Sequence, residues 1–276
     1  MINPSTQTTT TIPGFDTEQH GFLGQTKAVF RRGKGPAVVV LAEVPGITPQ
    51  VADFARGLAD HGFTVFMPQL FGTPLRPLSV PLALGTIAKL CISKEFRVLA
   101  ANESSPVVDW LRALSRHAHH VCGGPGVGVV GMCITGNFGL AMMLDAPVIA
   151  PVLCQPSLPG GFLPSQVAGL HASDQEIAAA HEKIDSQNAR ILGLRFKQDF
   201  LCQAERFKRL KQEFGDAFEG IEIDAKFAKK NTGTPAHSVL TTHLIDESGE
   251  PTRAALDRTM EFLATQLGVG QTPRNP

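Results

Sequence analysis

Short apolar runs alternate along this chain with stretches in which apolar residues recur every three or four positions. Ala37–Ala42 (Ala-Val-Val-Val-Leu-Ala) is continuous and β-branched, the pattern of a strand covered on both faces of a parallel sheet. Gln50–His61 follows with Val51, Phe54, Ala55 and Leu58 at helical spacing. The next strand is Phe63–Met67, ended by Pro68. A helix is predicted over Ser105–His117, with Pro106 in its first turn, where a missing N–H costs nothing. Gly128–Met132 reads as a strand, Thr135–Leu144 as a helix and Val148–Leu153 as a strand. Ser173-Asp-Gln-Glu176 is a capping box that opens a further helix. Arg190–Phe196, Ala204–Phe214, Phe218–Ile223 and Thr252–Leu267 complete the alternation as strand, helix, strand and helix.

Strands alternating with helices imply an α/β fold: an open, mostly parallel central sheet with helices on both faces. No repeat or linker interrupts the body, so a single domain is expected over residues 17–268. Residues 1–16 are expected to be a disordered tail, and residues 269–276 form a polar C-terminal tail. The segment 71–103 is too long for a plain connection. Its proline-rich opening, Pro74 to Pro81, precedes an expected short helix, Leu82–Cys91, and together they are expected to cap a substrate pocket.

Composition then removes whole classes of function. Of 276 residues, 43% are hydrophobic and 18% charged, which suffices for one large core and excludes a disordered chain. Lys and Arg number 25 and so do Asp and Glu, so the basic excess of a nucleic-acid binder is missing. No apolar run approaches the ~18 residues of a membrane span. Met1–Gly14 is polar and Thr-rich, without the apolar centre of a signal peptide, and a cytoplasmic protein is expected. Five cysteines, Cys91, Cys122, Cys133, Cys154 and Cys202, lie at long irregular spacings with no C-x-x-C. An odd, scattered set argues against a disulfide framework or a structural zinc.

In open α/β sheets, ligands bind beyond the carboxyl ends of the strands, so chemistry is sought there. Glu43 follows the first buried strand, Cys133 the central one, Asp199 the strand ending at Phe196, and His237 the last strand after a loop. Gly131-Met-Cys133-Ile-Thr-Gly136 joins a strand to an apolar helix. A nucleophile on such a sharp turn needs small neighbours, which Gly131 and Gly136 supply. The turn leaves the Ile134 N–H at a helix N-terminus, where it can stabilise an oxyanion and where the dipole favours a thiolate. The order Cys133, Asp199, His237 is the nucleophile–acid–base order of α/β hydrolases, and no Gly-x-Ser-x-Gly competes. Weaker rivals are Asp174 (part of the capping box), Asp185 (late in a helix) and His243. Cys154 reads as core.

Two other patterns are set aside. Gly126-Val-Gly-Val-Val-Gly131 matches G-x-G-x-x-G, but its glycines fall within the strand rather than after it, so nucleotide binding is not expected. His117, His119, His120 and Cys122 are spaced too tightly for one helical face, and a polar helix end explains them better than a metal site.

On Val38–Gly46, Gly131–Gly136, Leu192–Asp199 and the His237 loop, the sequence resembles the dienelactone hydrolase family of α/β hydrolases, from about Gly21 to Leu267. Met132 stands where the family elbow has an aromatic residue, and Thr135-Gly136 where it has two glycines. The resemblance implies an eight-stranded sheet, a Cys133–His237–Asp199 triad, an oxyanion hole from the Val44 and Ile134 N–H groups, and a Glu43 carboxylate acting on the resting thiol. It also suggests Arg76 as a counterpart of the arginines that hold a substrate carboxylate. The expected activity is cofactor-free and metal-free hydrolysis of a small-molecule carboxylic ester or lactone through an acyl-thioester. The alternatives are a non-catalytic α/β-hydrolase-fold protein that binds a ligand or partner, and a redox-sensing thiol protein.

Overall fold

The computed structural model describes residues 11–79, 81–83, 85–86, 105–144, 147–157 and 168–270. Eight strands form one sheet in the order β1-β2-β4-β3-β5-β6-β7-β8. They are β1 (Asp16–Phe22), β2 (Gln25–Gly33), β3 (Ala37–Leu41), β4 (Thr64–Pro68), β5 (Val127–Met132), β6 (Val148–Cys154), β7 (Ile191–Phe196) and β8 (Phe218–Ile223). β1 pairs with β2, and β2 with β4, antiparallel; every other pairing is parallel. The chain thus has the α/β-hydrolase fold.

Six α-helices have defined bounds: α1 (Pro49–Asp60), α2 (Pro106–Cys122), α3 (Phe138–Ala141), α4 (Asp174–Gln187), α5 (Ala204–Phe214) and α6 (Pro251–Leu267). Each begins for a local reason. Thr48 caps α1, its hydroxyl accepting from the Val51 N–H at 3.3 Å, and the apolar positions Val51, Phe54, Ala55 and Leu58 are all buried. α4 opens on the expected capping box: Ser173 and Glu176 bond reciprocally, the Glu176 carboxylate accepting from the Ser173 N–H at 2.8 Å. That same carboxylate pairs with the buried guanidinium of Arg112, which also donates to Ala141 O at 2.9 Å. One residue therefore starts α4 and ties it to α2 and α3.

The central strands are wholly buried, as their continuous apolar runs require: no residue of β3, β4, β5, β6 or β7 is accessible. Gly128 lets α6 lie close, because a Cβ there would stand 2.8 Å from Leu263.

Several elements differ from the sequence reading. α2 continues through the histidines to Cys122, where His119 Nε2 lies 3.0 Å from Gly124 O. The expected helix 135–144 is instead a 3-10 turn, Cys133–Asn137, running into the short α3. The tail expected over 1–16 is ordered at its end: Ile12 and Phe15 are buried and Asp16 begins β1. The β1–β2 hairpin was not foreseen. Its two-residue turn, Leu23-Gly24, has φ of 51° and 75°, and leucine gives no Asn-Gly or Asp-Gly signal. Trp110 of α2 holds this hairpin, donating to Gln25 O at 3.0 Å and meeting Phe22 edge-on at 5.5 Å. Of the cap expected over 71–103, residues 80, 84 and 87–103 lie outside the described residues, and 81–83 and 85–86 are helical.

Candidate active site

Cys133 sits where β5 turns into the 3-10 segment, with φ of +58°, a conformation uncommon for a residue with a side chain. Gly131 makes the turn possible: a Cβ there would lie 2.3 Å from Thr135 O. Thr135, which stands at the first of the two glycine positions named above, is fully buried and fastened. Its hydroxyl accepts from the Met132 N–H at 2.9 Å and lies 3.0 Å from Leu41 O and 2.8 Å from Met132 O. The elbow is thereby joined to the carboxyl end of β3. Asn137 secures the other side, its amide donating to Ile134 O at 3.0 Å and Ser157 O at 2.8 Å. Arg206 donates to the Asn137 side-chain oxygen.

The Cys133 side chain is buried but reachable, at 8% exposure. Ser157 follows β6; its N–H donates to Cys133 O at 3.1 Å and its hydroxyl lies 3.8 Å from the sulfur. Val44, just past the end of β3, has an N–H with no hydrogen-bond partner among the described residues. The Ile134 N–H lies in the first turn of the 3-10 segment, where no intrahelical acceptor exists.

Asp199 lies in the loop after β7 with its carboxylate divided between two donors. Oδ1 accepts from the Leu201 N–H at 2.9 Å, and Oδ2 lies 2.7 Å from His237 Nδ1. Arg195 braces both ends of this loop, donating to Lys197 O at 2.9 Å and Cys202 O at 2.8 Å while pairing with Glu222. The other His237 nitrogen, Nε2, is buried and has no hydrogen-bond partner among the described residues. Burial alone would lower the His237 pKa, but the charge of Cys133 and the bond to Asp199 outweigh it and hold the pKa well above the usual value. The structure thus joins His237 to Asp199 directly, with Cys133 near enough to act on the ring electrostatically.

Glu43 is brought to the same edge but not hydrogen-bonded to Cys133. Its carboxylate accepts from Ser238 Oγ at 2.5 Å, Gln155 Nε2 at 3.2 Å and Thr241 Oγ1. It fastens the His237 loop to the end of β3. Ser238, Thr241 and Gln155 had not been singled out in the sequence; Gln155 follows β6 and could have been found by the same strand-end rule that found Glu43. Arg76 is exposed. Cys154 and Cys202 are fully buried, and burial is the largest cause raising both thiols: Cys154 well above its usual value, with Glu43 adding to it, and Cys202 to about 12, with Asp199 adding. Neither is a thiolate near neutral pH.

The profile of the dienelactone hydrolase family matches residues 20–265. The chain belongs to this family. As a dienelactone hydrolase family member it is a carboxylic ester hydrolase, acting on small-molecule esters or lactones. No curated protein sequence matches it. Among solved structures, a proposed dienelactone hydrolase from Klebsiella pneumoniae subsp. pneumoniae MGH 78578 is similar, at 17% identity and TM-score 0.61, covering 91% of this chain and 98% of that one. A dienelactone hydrolase-like promiscuous phosphotriesterase from metagenomic libraries is similar at 18% identity and TM-score 0.59, covering 90% and 98%. Brefeldin A esterase, a bacterial homologue of human hormone-sensitive lipase, is similar at 16% identity and TM-score 0.52, covering 92% and 77%. These likenesses concern the fold. Among the described residues, no helix is long and apolar enough to cross a membrane.

Proposed function

We propose that this family member hydrolyses its ester or lactone with Cys133 as nucleophile, through an acyl-thioester. The observation that carries the reading is the His237 imidazole, bonded to Asp199 at 2.7 Å and raised in pKa by the Cys133 sulfur. Asp199 keeps the Nδ1–H tautomer, so Nε2 is the nitrogen offered to the thiol. The thiolate attacks the carbonyl carbon, and the negative oxygen is received by the Val44 and Ile134 N–H groups. The C–O bond to the leaving group breaks, and imidazolium passes its proton to the departing alkoxide oxygen. Neutral His237 then takes a proton from water, the resulting hydroxide attacks the thioester carbonyl, and the C–S bond breaks to free the acid and restore the thiolate–imidazolium pair.

In this scheme Glu43 acts by anchoring the loop that carries His237. Arg76 is kept as a substrate contact only for a substrate long enough to reach the surface. Unbridged Cys122, Cys133, Cys154 and Cys202 suit a reducing compartment such as the cytoplasm.

The experiment is turnover of p-nitrophenyl acetate and a small enol lactone by wild type and Cys133→Ala, with mass spectrometry of the wild type quenched early. We expect loss of on the order of 10³-fold or more in kcat/KM for Cys133→Ala, and an acyl adduct on the peptide bearing Cys133. Unchanged turnover in a folded Cys133→Ala protein would overturn the cysteine mechanism.

A further inference from the structure

We propose that His243 is a positioning residue for this reaction: its neutral ring, accepting through Nδ1, holds the backbone of His237 and Ser238 and so sets where the His237 imidazole stands. The inference rests on the Cys133–His237–Asp199 reading above.

The geometry dictates the protonation state. His243 Nδ1 lies 3.1 Å from the Ser238 N and 3.4 Å from the His237 N. Backbone N–H groups only donate, so Nδ1 carries the lone pair and the proton is on Nε2. Acceptors for that proton are at hand: Thr232 Oγ1 at 3.0 Å and Thr234 O at 3.3 Å. The ring is buried and packs edge-on against Phe196, the last residue of β7, at 6.2 Å. Its own backbone closes the same loop, the His243 N–H donating to Ser238 O at 3.0 Å and His243 O accepting from the Lys229 N–H at 3.0 Å. One imidazole therefore gathers Thr232, Thr234, His237 and Ser238 around itself, while Glu43 holds Ser238 and Thr241 from the β3 side.

Burial is the main influence on His243 and lowers its pKa; the bond to the Thr234 carbonyl, Glu43 and Asp199 oppose this and His237 reinforces it. A protonated ring would turn an Nδ1–H against two N–H groups and push the His237 backbone away. Only two side-chain torsions separate that backbone from the imidazole, so the shift would pass directly to Nε2 and to its alignment with the sulfur.

The test has two arms. In the wild type, long-range ¹H–¹⁵N NMR of histidine-labelled protein at pH 7 should show His243 neutral with its proton on Nε2. A ring protonated at Nδ1, or doubly protonated, would overturn the proposal. In variants, Asn places an oxygen where Nδ1 stood, whereas Gln places its polar atoms further out. His243→Asn should retain most of the wild-type kcat, and His243→Gln should lose roughly 10-fold or more in kcat with KM nearly unchanged. The His237 Nδ1–H resonance should move in the Gln variant and not in the Asn variant. Equal kcat in the two folded variants would overturn the proposal. Turnover surviving in Cys133→Ala would overturn the nucleophile reading alone, since the NMR signals report on His243 without any turnover.

Discussion

Two neighbouring strands of this sheet lead to a cysteine at their carboxyl ends, and the two thiols have different surroundings. β5 and β6 pair in parallel with Met132 opposite Cys154, so Cys133 and Cys154 lie at nearly the same height on the same edge. Cys154 is still part of its strand and has no accessible surface; burial pushes its thiol far up, and the negative charge of Glu43 adds to it. Cys133 is one step past its strand, turned by a positive φ to the start of a 3-10 segment, and borders an imidazole held by Asp199. Burial is common to both. The sign of the neighbouring charge and one residue of register set the two thiols apart.

The comparison is broken most completely by removing the support of the cation. Asp199→Asn takes the charge from His237 Nδ1 and admits the wrong tautomer, so Cys133 should come to behave like Cys154. We expect a fall in kcat on the order of 10³-fold, measured by steady-state ester hydrolysis. A fall of less than tenfold would show that Asp199 is dispensable to the imidazole.

Alkylation sharpens the same contrast without turnover. Iodoacetamide at neutral pH should modify Cys133 at least ~10-fold faster than Cys154 or Cys202, the latter held at about 12. Peptide mapping that finds Cys154 modified first in the folded protein would reverse the assignment.

Glu43→Gln tests the charge on the Cys154 side. Ser238, Thr241 and Gln155 all donate to this carboxylate, and the amide of glutamine would turn an N–H toward one of them. A loss of about 1–3 kcal/mol in stability is expected from chemical denaturation, with a smaller loss of kcat as the His237 loop loosens. The direct rise in Cys133 reactivity expected of a carboxylate touching the thiol should be slight, because no hydrogen bond joins the two.

The smallest effect is in pH. The folded pKa of His243 is lowered below its unfolded value near 6.5, so the unfolded chain binds more protons in acid. This contribution to stability is complete above pH ~6.5 and is lost as pH falls toward the lowered folded value. His243→Asn should flatten that part of the acid slope, read from denaturation midpoints between pH 7 and 5. An unaltered slope would mean that His243 is not the titrating group.

Much of this contrast was legible in the chain. Continuous apolar runs mark buried parallel strands, and the rule that chemistry gathers past their carboxyl ends points to Glu43, Cys133, Asp199 and His237. The role of Glu43 was not legible, because Ser238 and Thr241 are nearly two hundred residues away and only pairing of the strands brings them near. The β1–β2 hairpin escaped because its polar alternation is weak and Leu23 occupies a turn position usually taken by Asn or Asp. His237 and His243, six residues apart, have the same local sequence signal; the Asp199 contact of the one and the two backbone N–H groups that face the other tell them apart.

The Thr135 hydroxyl has a consequence for which sequences this fold can accept. The position selects for an oxygen rather than for volume: serine preserves the link between Met132 and the end of β3, whereas valine, equal in size to threonine, leaves the Met132 N–H and a buried carbonyl unanswered. The hydroxyl joins the ends of β3 and β5 as a shared hinge pin, so mutations that shift β3 will be felt at Cys133.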